Sequence, residues 1–362
     1  MLTEKYKEEL SVLTSVKCQP CISVIMPFEP KMNAEAILKH SLKIVANKIK
    51  RDLHDNYVND VAGPVFEKLE NIIAHLDYTT HRKSVAIYVS PEIEKVYYLN
   101  IKVNEKAMVN TSFEIRDIVM NKKEDHEFLL LVISGKKEKL YAGSGSSLKL
   151  IVSNQTAHIE RDLPEPVANF TDAQKIKETR LKNFLYYIDK QLSHILALYS
   201  FPFFVMASKK TMGYFENITK HYKNIMGFVH GNFDNATENE LLKALVPQLI
   251  NWKVIKERHI INRLEIAKQD LKLVTGIHDV WIQASRKHKQ LLVVEKDFYC
   301  PAFVTEKGET IFSNSSETNK MVTKDAIDDI IEKVLENGGD VEFVEDLKEY
   351  NKIALIEQPG ND

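Results

Sequence analysis

The stretch that decides the fold is Asp325-Ala-Ile-Asp-Asp-Ile-Ile-Glu-Lys-Val-Leu-Glu336, followed by Asn337-Gly338-Gly339 and Asp340-Val-Glu-Phe-Val344. Apolar residues at 327, 330, 331, 334 and 335 repeat with the period of an amphipathic helix. Acids in the first turn suit the positive end of a helix, and Asn337-Gly338 supplies a left-handed residue that ends one. Val341, Phe343 and residues 353–356 are typical of buried strands. The stretch therefore predicts a helix, a tight turn and two strands, which is an α/β unit.

Length and composition bound the class of protein. A chain of 362 residues is long enough for two or three domains. Its 44% hydrophobic and 28% charged residues are ordinary for a folded protein. No apolar run approaches the ~20 residues that span a bilayer, and the N-terminus lacks a signal-peptide core. Three cysteines do not form a disulfide framework and fit a reducing compartment. We therefore expect a cytoplasmic protein with no membrane contact.

Charge is unevenly distributed along the chain. Residues 325–362 carry 3 Lys and Arg against 12 Asp and Glu, a net charge of −9. Residues 247–324 carry 13 against 9, a net charge of +4. The acidic end would repel phosphate, which argues against a protein that coats nucleic acid and leaves a local basic face open. A charge run is usually a solvated face, but this acidic C-terminal unit could also bind a protein partner.

The order of predicted elements divides the chain into three α/β blocks: residues 1–123, 124–246 and 247–362. In the first, a strand at 21–28 precedes helices at 34–52 and 64–76 and strands at 84–90 and 96–99. In the second, the strand at 127–134 is apolar on both faces, which predicts a central position in its sheet. The second block continues with strands at 138–142 and 148–153, a helix at 172–198, a strand at 203–207, a helix at 213–220 and a strand at 225–230.

Two further features matter in these blocks. A polar loop without periodicity spans 154–170, and loops of that length are often functional. Thr237 with Glu240 three residues later predicts a capping box at the start of a helix. The third block is predicted as helical to about 273 and again at 278–285, followed by a strand at 290–295 and the closing unit. Alternating strands and helices place the whole chain in the mixed α/β class.

A family resemblance rests on the run Thr275-Gly276-Ile-His-Asp-Val280-Trp-Ile-Gln-Ala284-Ser-Arg-Lys-His-Lys-Gln290-Leu-Leu-Val-Val-Glu295. It resembles the start of the third domain of archaeo-eukaryotic class-one release factors and Pelota, and the closing unit is similar as well. With the strand at 22–27 and the Gly231-Asn232 turn, the whole chain resembles bacterial homologues of these factors. The resemblance implies a middle domain that approaches the peptidyl-transferase centre. It also implies a third domain with the fold of kink-turn-binding ribosomal proteins.

The residues that carry the family's chemistry are absent. Release factors hydrolyse peptidyl-tRNA with a Gly-Gly-Gln tripeptide on a middle-domain loop. The corresponding loop, 154–170, contains no glycine, and the chain's only Gly-Gly pair, Gly338-Gly339, precedes Asp340. The family's usual Arg-aromatic ending is also replaced, by Glu357-Gln358. We therefore predict no catalytic residue and favour a protein that is not an enzyme.

Other reactive patterns favour neither a metal nor a cofactor. Cys18-Gln-Pro-Cys21 has redox spacing, but it precedes a strand instead of opening a helix, so the usual cause of a lowered thiol pKa is missing. The pair could form half of a zinc site only with histidine ligands from elsewhere. Gly143-Ser-Gly145 lacks the lysine of a phosphate loop. No Gly-x-Ser-x-Gly nucleophile elbow occurs.

Basic residues are the remaining candidates for a site, as RNA ligands. They form three groups: Lys253, Lys256, Arg258, Arg263 and Lys268; then Arg286, Lys287 and Lys289; and Lys175, Lys177 and Arg180. Acids interrupt the first group, so a salt-bridged amphipathic helix is the competing interpretation. The third group could equally be the solvated side of its helix.

These observations favour a ribosome-associated translation factor of the rescue, stalling or hibernation type, with the ribosome or tRNA as its partner. Two other classes stay open. One is a hydrolase that acts on peptidyl-tRNA or RNA through the 154–170 loop, using a residue such as Gln155 or Gln174. The other is a non-catalytic scaffold that binds protein through its acidic end.

Overall fold

The computed structural model describes residues 13–14, 19–28, 34–78, 80, 82–123, 126–134, 137–144, 147–155, 173–199, 201–286, 288–304, 310–312 and 324–357. They fall into two compact units. One, here called the middle unit, spans 125–271. The other, the split unit, combines an N-terminal segment, 2–124, with a C-terminal segment, 272–362. Both units contain sheets and helices, which confirms the mixed α/β class.

The N-terminal segment of the split unit is built on an antiparallel sheet in the order β3-β2-β1-β4. Its elements are β1 (Cys21–Pro27), α1 (Ala34–Asn56), α2 (Asn59–Ala74), β2 (Ser84–Val89), β3 (Glu94–Leu99), β4 (Lys106–Asn110) and α3 (Arg116–Lys122). Val24 and Val85 pack with the apolar side chains of α1 and α2. Helix α2 begins before the predicted start at Pro64, because Ala62 is already buried in this core.

The middle unit contains a five-stranded sheet in the order β7-β6-β5-β8-β9. Its elements are β5 (Glu127–Ser134), β6 (Lys137–Ser144), β7 (Ser147–Gln155), α4 (Ala173–Leu198), β8 (Phe203–Ala207), α5 (Lys209–Ile218), β9 (Ile225–His230), α6 (Glu238–Leu249) and α7 (Trp252–Gln269). Strand β5 pairs antiparallel with β6 and parallel with β8, so the predicted central strand is confirmed. The capping box of Thr237 and Glu240 is present at the start of α6.

Helix α7 lies in the middle unit, and the predicted division between the second and third domains at 246/247 stays a prediction. Trp252 and Ile255 are buried in the same core as Phe128, Leu241 and Leu245. The Trp252 ring centroid lies 6.3 Å from that of Phe128. The compact unit therefore continues through α7, because the first turn of this helix fills one face of the sheet.

The C-terminal segment of the split unit contains a sheet in the order β10-β16-β11-β15. Its elements are β10 (Leu273–Thr275), α8 (Ile277–Ala284), β11 (Gln290–Glu295), β12 (Pro301–Val304), β13 (Thr310–Phe312), β14 (Lys324–Asp325), α9 (Ala326–Glu336), β15 (Asp340–Val344) and β16 (Ile353–Glu357). β11 is parallel to β15 and antiparallel to β16. Helix α9 and the two strands that follow it confirm the predicted closing unit.

Both ends of α9 follow from the sequence. The Asp325 carboxylate accepts a hydrogen bond from the Ile327 amide at 3.1 Å, which caps the N-terminus. At the other end the Gly338 amide donates to Leu335 and the Gly339 amide to Val334, the paired bonds of a Schellman motif. Gly338 has a φ of 73°, a conformation that suits glycine. The Gly-Gly pair is thus a helix end.

No helix in the described part of the chain is long and apolar enough to cross a membrane.

Candidate functional site

The basic residues at the start of α4 are solvent-exposed. Lys175, Lys177 and Arg180 all lie before Phe184, the first fully buried side chain of this helix. Lys182, which follows them, is paired with Glu178 at 3.0 Å. The three cations are therefore placed where a phosphate group could reach them.

The basic residues of α7 do not form one stripe. Lys253, Arg258 and Lys268 are exposed, whereas Lys256 and Arg263 are half-buried. At about 100° per residue, Lys256 and Arg263 lie close together on the helix surface, well away from Arg258. Only the three exposed cations share the solvent side, and Glu265 lies among them. The structure thus splits the predicted group into a three-residue exposed set and two side chains next to the core.

The third basic group belongs to the other unit. Arg286 and Lys289 are exposed between α8 and β11 of the split unit, whereas α7 is part of the middle unit. Lys287 lies outside the described residues. The structure therefore does not bring this corner and the α7 residues together within one unit.

The loop considered for hydrolysis falls mostly outside the described residues, which omit 156–172. Gln155 is the last residue of β7. Gln174 is exposed in the first turn of α4.

The split unit contains a buried ionic junction that was not predicted. Arg116, the first residue of α3, is 5% exposed. Its guanidinium donates to the carbonyl oxygens of Phe298 at 2.7 Å, Glu295 at 3.2 Å and Lys296 at 2.5 Å. It also forms an ion pair with Asp325 at 3.4 Å. A single side chain of the N-terminal segment is thus held by the turn after β11 and by the cap of α9.

Lys123 makes the second ionic contact of this junction. Its Nζ lies 2.8 Å from Asp340 Oδ1 and 2.8 Å from Glu342 Oε1. Burial alone would lower the pKa of Lys123, but the two carboxylates raise it above its usual range. The ammonium group therefore stays charged and ties α3 to β15.

The junction changes the interpretation of the acidic C-terminal end. Four of its acids are held in the split unit: Asp325 by Arg116, Asp328 by the Arg116 amide at 3.1 Å, and Asp340 and Glu342 by Lys123. A signal was present, since Arg116 and Lys123 are seven residues apart, or two helical turns. The sequence does not say which acids such a pair will meet.

A cavity of about 500 Å³ opens beside the junction. Lys106, Glu114, Arg116 and Asp117 line it from the N-terminal segment, and Lys296 and Asp325 line it from the C-terminal segment. Lys106 pairs with Asp117 at 2.8 Å. Burial and the neighbouring Asp328 raise the pKa of Asp325 to about 6. Hydrogen bonds from the amides of Cys300 and Ile327 and the charge of Arg116 act in the opposite direction and lower this pKa.

Metal ligation finds no support among the described residues, where no three His, Cys, Asp or Glu side chains are grouped to hold an ion. Cys21 is buried in β1, and Cys18 lies outside the described residues.

One family model matches part of the chain. Residues 127–287, from β5 to the turn after α8, match the model of bacterial archaeo-eukaryotic release factor family 3. This confirms the resemblance predicted from the sequence. The match covers somewhat less than half of the chain, and over this segment the chain is similar to the bacterial archaeo-eukaryotic release factors.

Several solved structures align with the chain at low similarity. The archaeal translation termination factor aRF1 is 11% identical, with 99% of each chain covered and a TM-score of 0.28. Pelota of Thermoplasma acidophilum is 10% identical over 77% of this chain and 86% of its own, with a TM-score of 0.25. Dom34 of S. cerevisiae, a translation termination-like factor, is 14% identical over 80% and 82%, with a TM-score of 0.31. No curated protein sequence matches the chain. The similarity to release factors is carried by the family match over 127–287 and not by these distant alignments.

Proposed function

We propose that this protein is a ribosome-associated translation factor of the rescue, stalling or hibernation type, which does not hydrolyse peptidyl-tRNA. The observation that carries the proposal is the release-factor family match over 127–287. That segment includes most of the middle unit and both sets of exposed cations in it. A cytoplasmic location and a ribosomal or tRNA partner go with this proposal.

Two places in the chain could hold a catalytic Gly-Gly-Gln tripeptide, and neither has this sequence. The loop at 154–170 has no glycine to give its backbone the freedom that Gly-Gly-Gln supplies. Gly338 and Gly339 end α9 instead. A Cβ on Gly339 would lie 2.6 Å from the Gln290 carbonyl oxygen, so this glycine is required by packing against β11.

Binding is assigned to the exposed cations of the middle unit. Arg and Lys side chains on the surface supply the sequence-independent attraction to phosphate. Binding releases counterions from the nucleic acid, and because this release is less favourable at high salt, the affinity falls as the salt concentration rises. Lys175, Lys177 and Arg180 form one candidate set, and Lys253, Arg258 and Lys268 form the other. Arg286 and Lys289 would extend contact into the split unit. A protein partner, if one binds the acidic end, would meet Glu345, Asp346 and Glu349, which are exposed.

The test is co-sedimentation of the full chain with purified ribosomes across a salt series. Two charge-reversal variants carry three Glu substitutions each, at 175, 177 and 180 or at 253, 258 and 268. The matched control reverses Lys43, Lys48 and Arg51, three exposed cations of α1 outside the family match. We expect wild type and control to sediment at low salt and both test variants to be lost at lower salt. Equal behaviour of control and test variants would contradict the assigned surface.

The competing classes give separate outcomes in companion assays. Release of peptide from a purified ribosome complex, abolished by Gln155→Ala or Gln174→Ala, would establish the hydrolase instead. No sedimentation at any salt concentration would reject a ribosomal factor and favour the protein scaffold.

A further inference from the structure

Glu114 is a buried acid whose surroundings do not neutralise it. Its side chain is 1% exposed, between β4 and α3. Asn110 Nδ2 donates to Glu114 Oε1 at 3.3 Å, but this amide carries no charge. Lys106, whose charge acts on Glu114, is paired with Asp117, and Arg116, two residues along the chain, is paired with Asp325.

A second buried acid, from the C-terminal segment, faces Glu114. Asp328, in the first turn of α9, is 3% exposed. Its Oδ1 accepts the Arg116 amide at 3.1 Å. Within the described structure, its Oδ2 is buried and accepts no hydrogen bond from an amide, an ammonium or a hydroxyl group. Buried carboxylate oxygens normally accept a hydrogen bond, because leaving one without a donor costs free energy.

Other charged and polar groups complete the environment. Asp325, at the cap of α9, adds a second negative charge near Glu114, and Lys106 of β4 adds a positive one. From β1 and β2 two neutral groups bond to the Glu114 backbone: its amide donates to Ser23 Oγ, and its carbonyl oxygen accepts from the Tyr88 hydroxyl. Burial raises the pKa of Glu114 well above its ordinary value, and the charge of Asp328 and a hydrogen bond to Asp328 raise this pKa further. The charge of Lys106 lowers it.

We propose that Glu114 is a carboxylic acid at neutral pH and that its O–H donates to Asp328 Oδ2. This shared proton fixes the N-terminal segment of the split unit to α9. It comes from water through the cavity that Glu114 lines and returns the same way, so no other bond forms or breaks. Its loss leaves two adjacent buried anions, which repel each other across the junction. The junction is therefore a proton-dependent latch that opens as pH rises.

The sign of the effect follows from linkage. A group whose pKa is raised in the folded state contributes stability that is complete below its ordinary pKa and is lost as pH rises through the raised value. Arg116 and Lys123 do not replace this contact, because each is held by its own acids. We expect the denaturant midpoint of wild type to fall on the alkaline side, and a variant with a permanently neutral side chain at 114 to lack this fall.

The decisive experiment is infrared spectroscopy of the full chain at pH 8, where surface carboxyl groups and Asp325 are ionised. Wild type should show the carbonyl band of one buried protonated carboxyl group. Glu114→Gln should lose this band, and the exposed control Glu92→Gln should keep it. Absence of the band from wild type, or its persistence in Glu114→Gln, would overturn the proposal.

A second variant covers the case in which Glu114→Gln does not fold. Asp328→Asn removes the charge that holds the proton, so the protonated band should titrate away at a lower pH than in wild type. An unchanged titration would show that Asp328 is not the partner of Glu114 and would also overturn the proposal.

Discussion

Helices α3 and α7 both carry basic residues at helical spacing, yet their environments are opposite. Arg116 and Lys123, at the two ends of α3, are buried against acids of the C-terminal segment. Lys253, Arg258 and Lys268 of α7 are exposed. The difference teaches that a cation's role depends on which distant segment faces it. A basic residue opposite a buried acid holds the fold together, whereas one that faces solvent is a candidate for contact with phosphate.

The largest expected effect comes from Arg116→Leu. This substitution leaves Asp325 and three carbonyl oxygens without their donor in a buried site, and breaking a buried ion pair in this way costs about 3–5 kcal/mol. Chemical denaturation measures this loss. Where the two units unfold in separate transitions, the transition of the split unit is the one to compare. Arg258→Leu on α7 is the matched control and should change the unfolding free energy by less than about 0.5 kcal/mol. Similar losses in both variants would break the distinction between the helices.

Lys123 permits a compensation test of the same junction. Lys123→Met alone should destabilise the chain by about 3–5 kcal/mol, because Asp340 and Glu342 stay charged and buried. Combining it with Asp340→Asn and Glu342→Gln should recover a large part of that loss. Additive losses in the triple variant, read from the same denaturation curves, would show that the three side chains do not act as one ionic group.

Asp325 gives the next effect, which depends on pH. Its pKa is raised from 3.8 to about 6, so its contribution to stability is complete below about pH 4 and is lost as pH rises through 6. Asp325→Asn keeps a capping side chain but does not titrate. Relative to wild type it should gain up to about 3 kcal/mol between pH 4 and pH 7, given about 1.4 kcal/mol per pKa unit. A constant difference between the two proteins across this range would contradict the raised pKa.

The smallest effect on folding is expected for the exposed cations. Reversing Lys253, Arg258 and Lys268 together should change the free energy of unfolding by less than about 0.5 kcal/mol per site. If each side chain contacts one phosphate, the slope of log K for ribosome binding against log salt concentration should decrease in magnitude by about 0.7 to 0.9 per residue. Loss of folding in this variant would place these residues in the same structural class as Arg116.

Prediction from sequence was most successful where the signal is local. The closing unit, the capping box at Thr237 and the central strand β5 each depend on spacing within a few residues, and each is present. The start of α2 and the placement of α7 were less predictable, because they depend on which core receives Ala62 and Trp252. The ionic junction could not be assigned at all, since its partners are more than 200 residues apart in the chain and every charged residue is expected at the surface by default.

The candidate site follows the same rule. The α4 cations were named from their positions after the 154–170 loop, and their role as RNA ligands stays a prediction. The division of the α7 group into exposed and half-buried residues required the direction of the core. Glu114 carried no signal, because a lone Glu between a strand and a helix is ordinary until a second acid is packed against it.

Ribosome co-sedimentation across a salt series tests the central claim most directly. A ribosome-associated factor that binds through the middle unit should pellet with ribosomes at low salt and be released as salt rises. Reversal of its α4 or α7 cations should release it earlier, and the α1 control should match wild type. A chain that stays in the supernatant at every salt concentration, while remaining folded, would contradict the assignment to the ribosome.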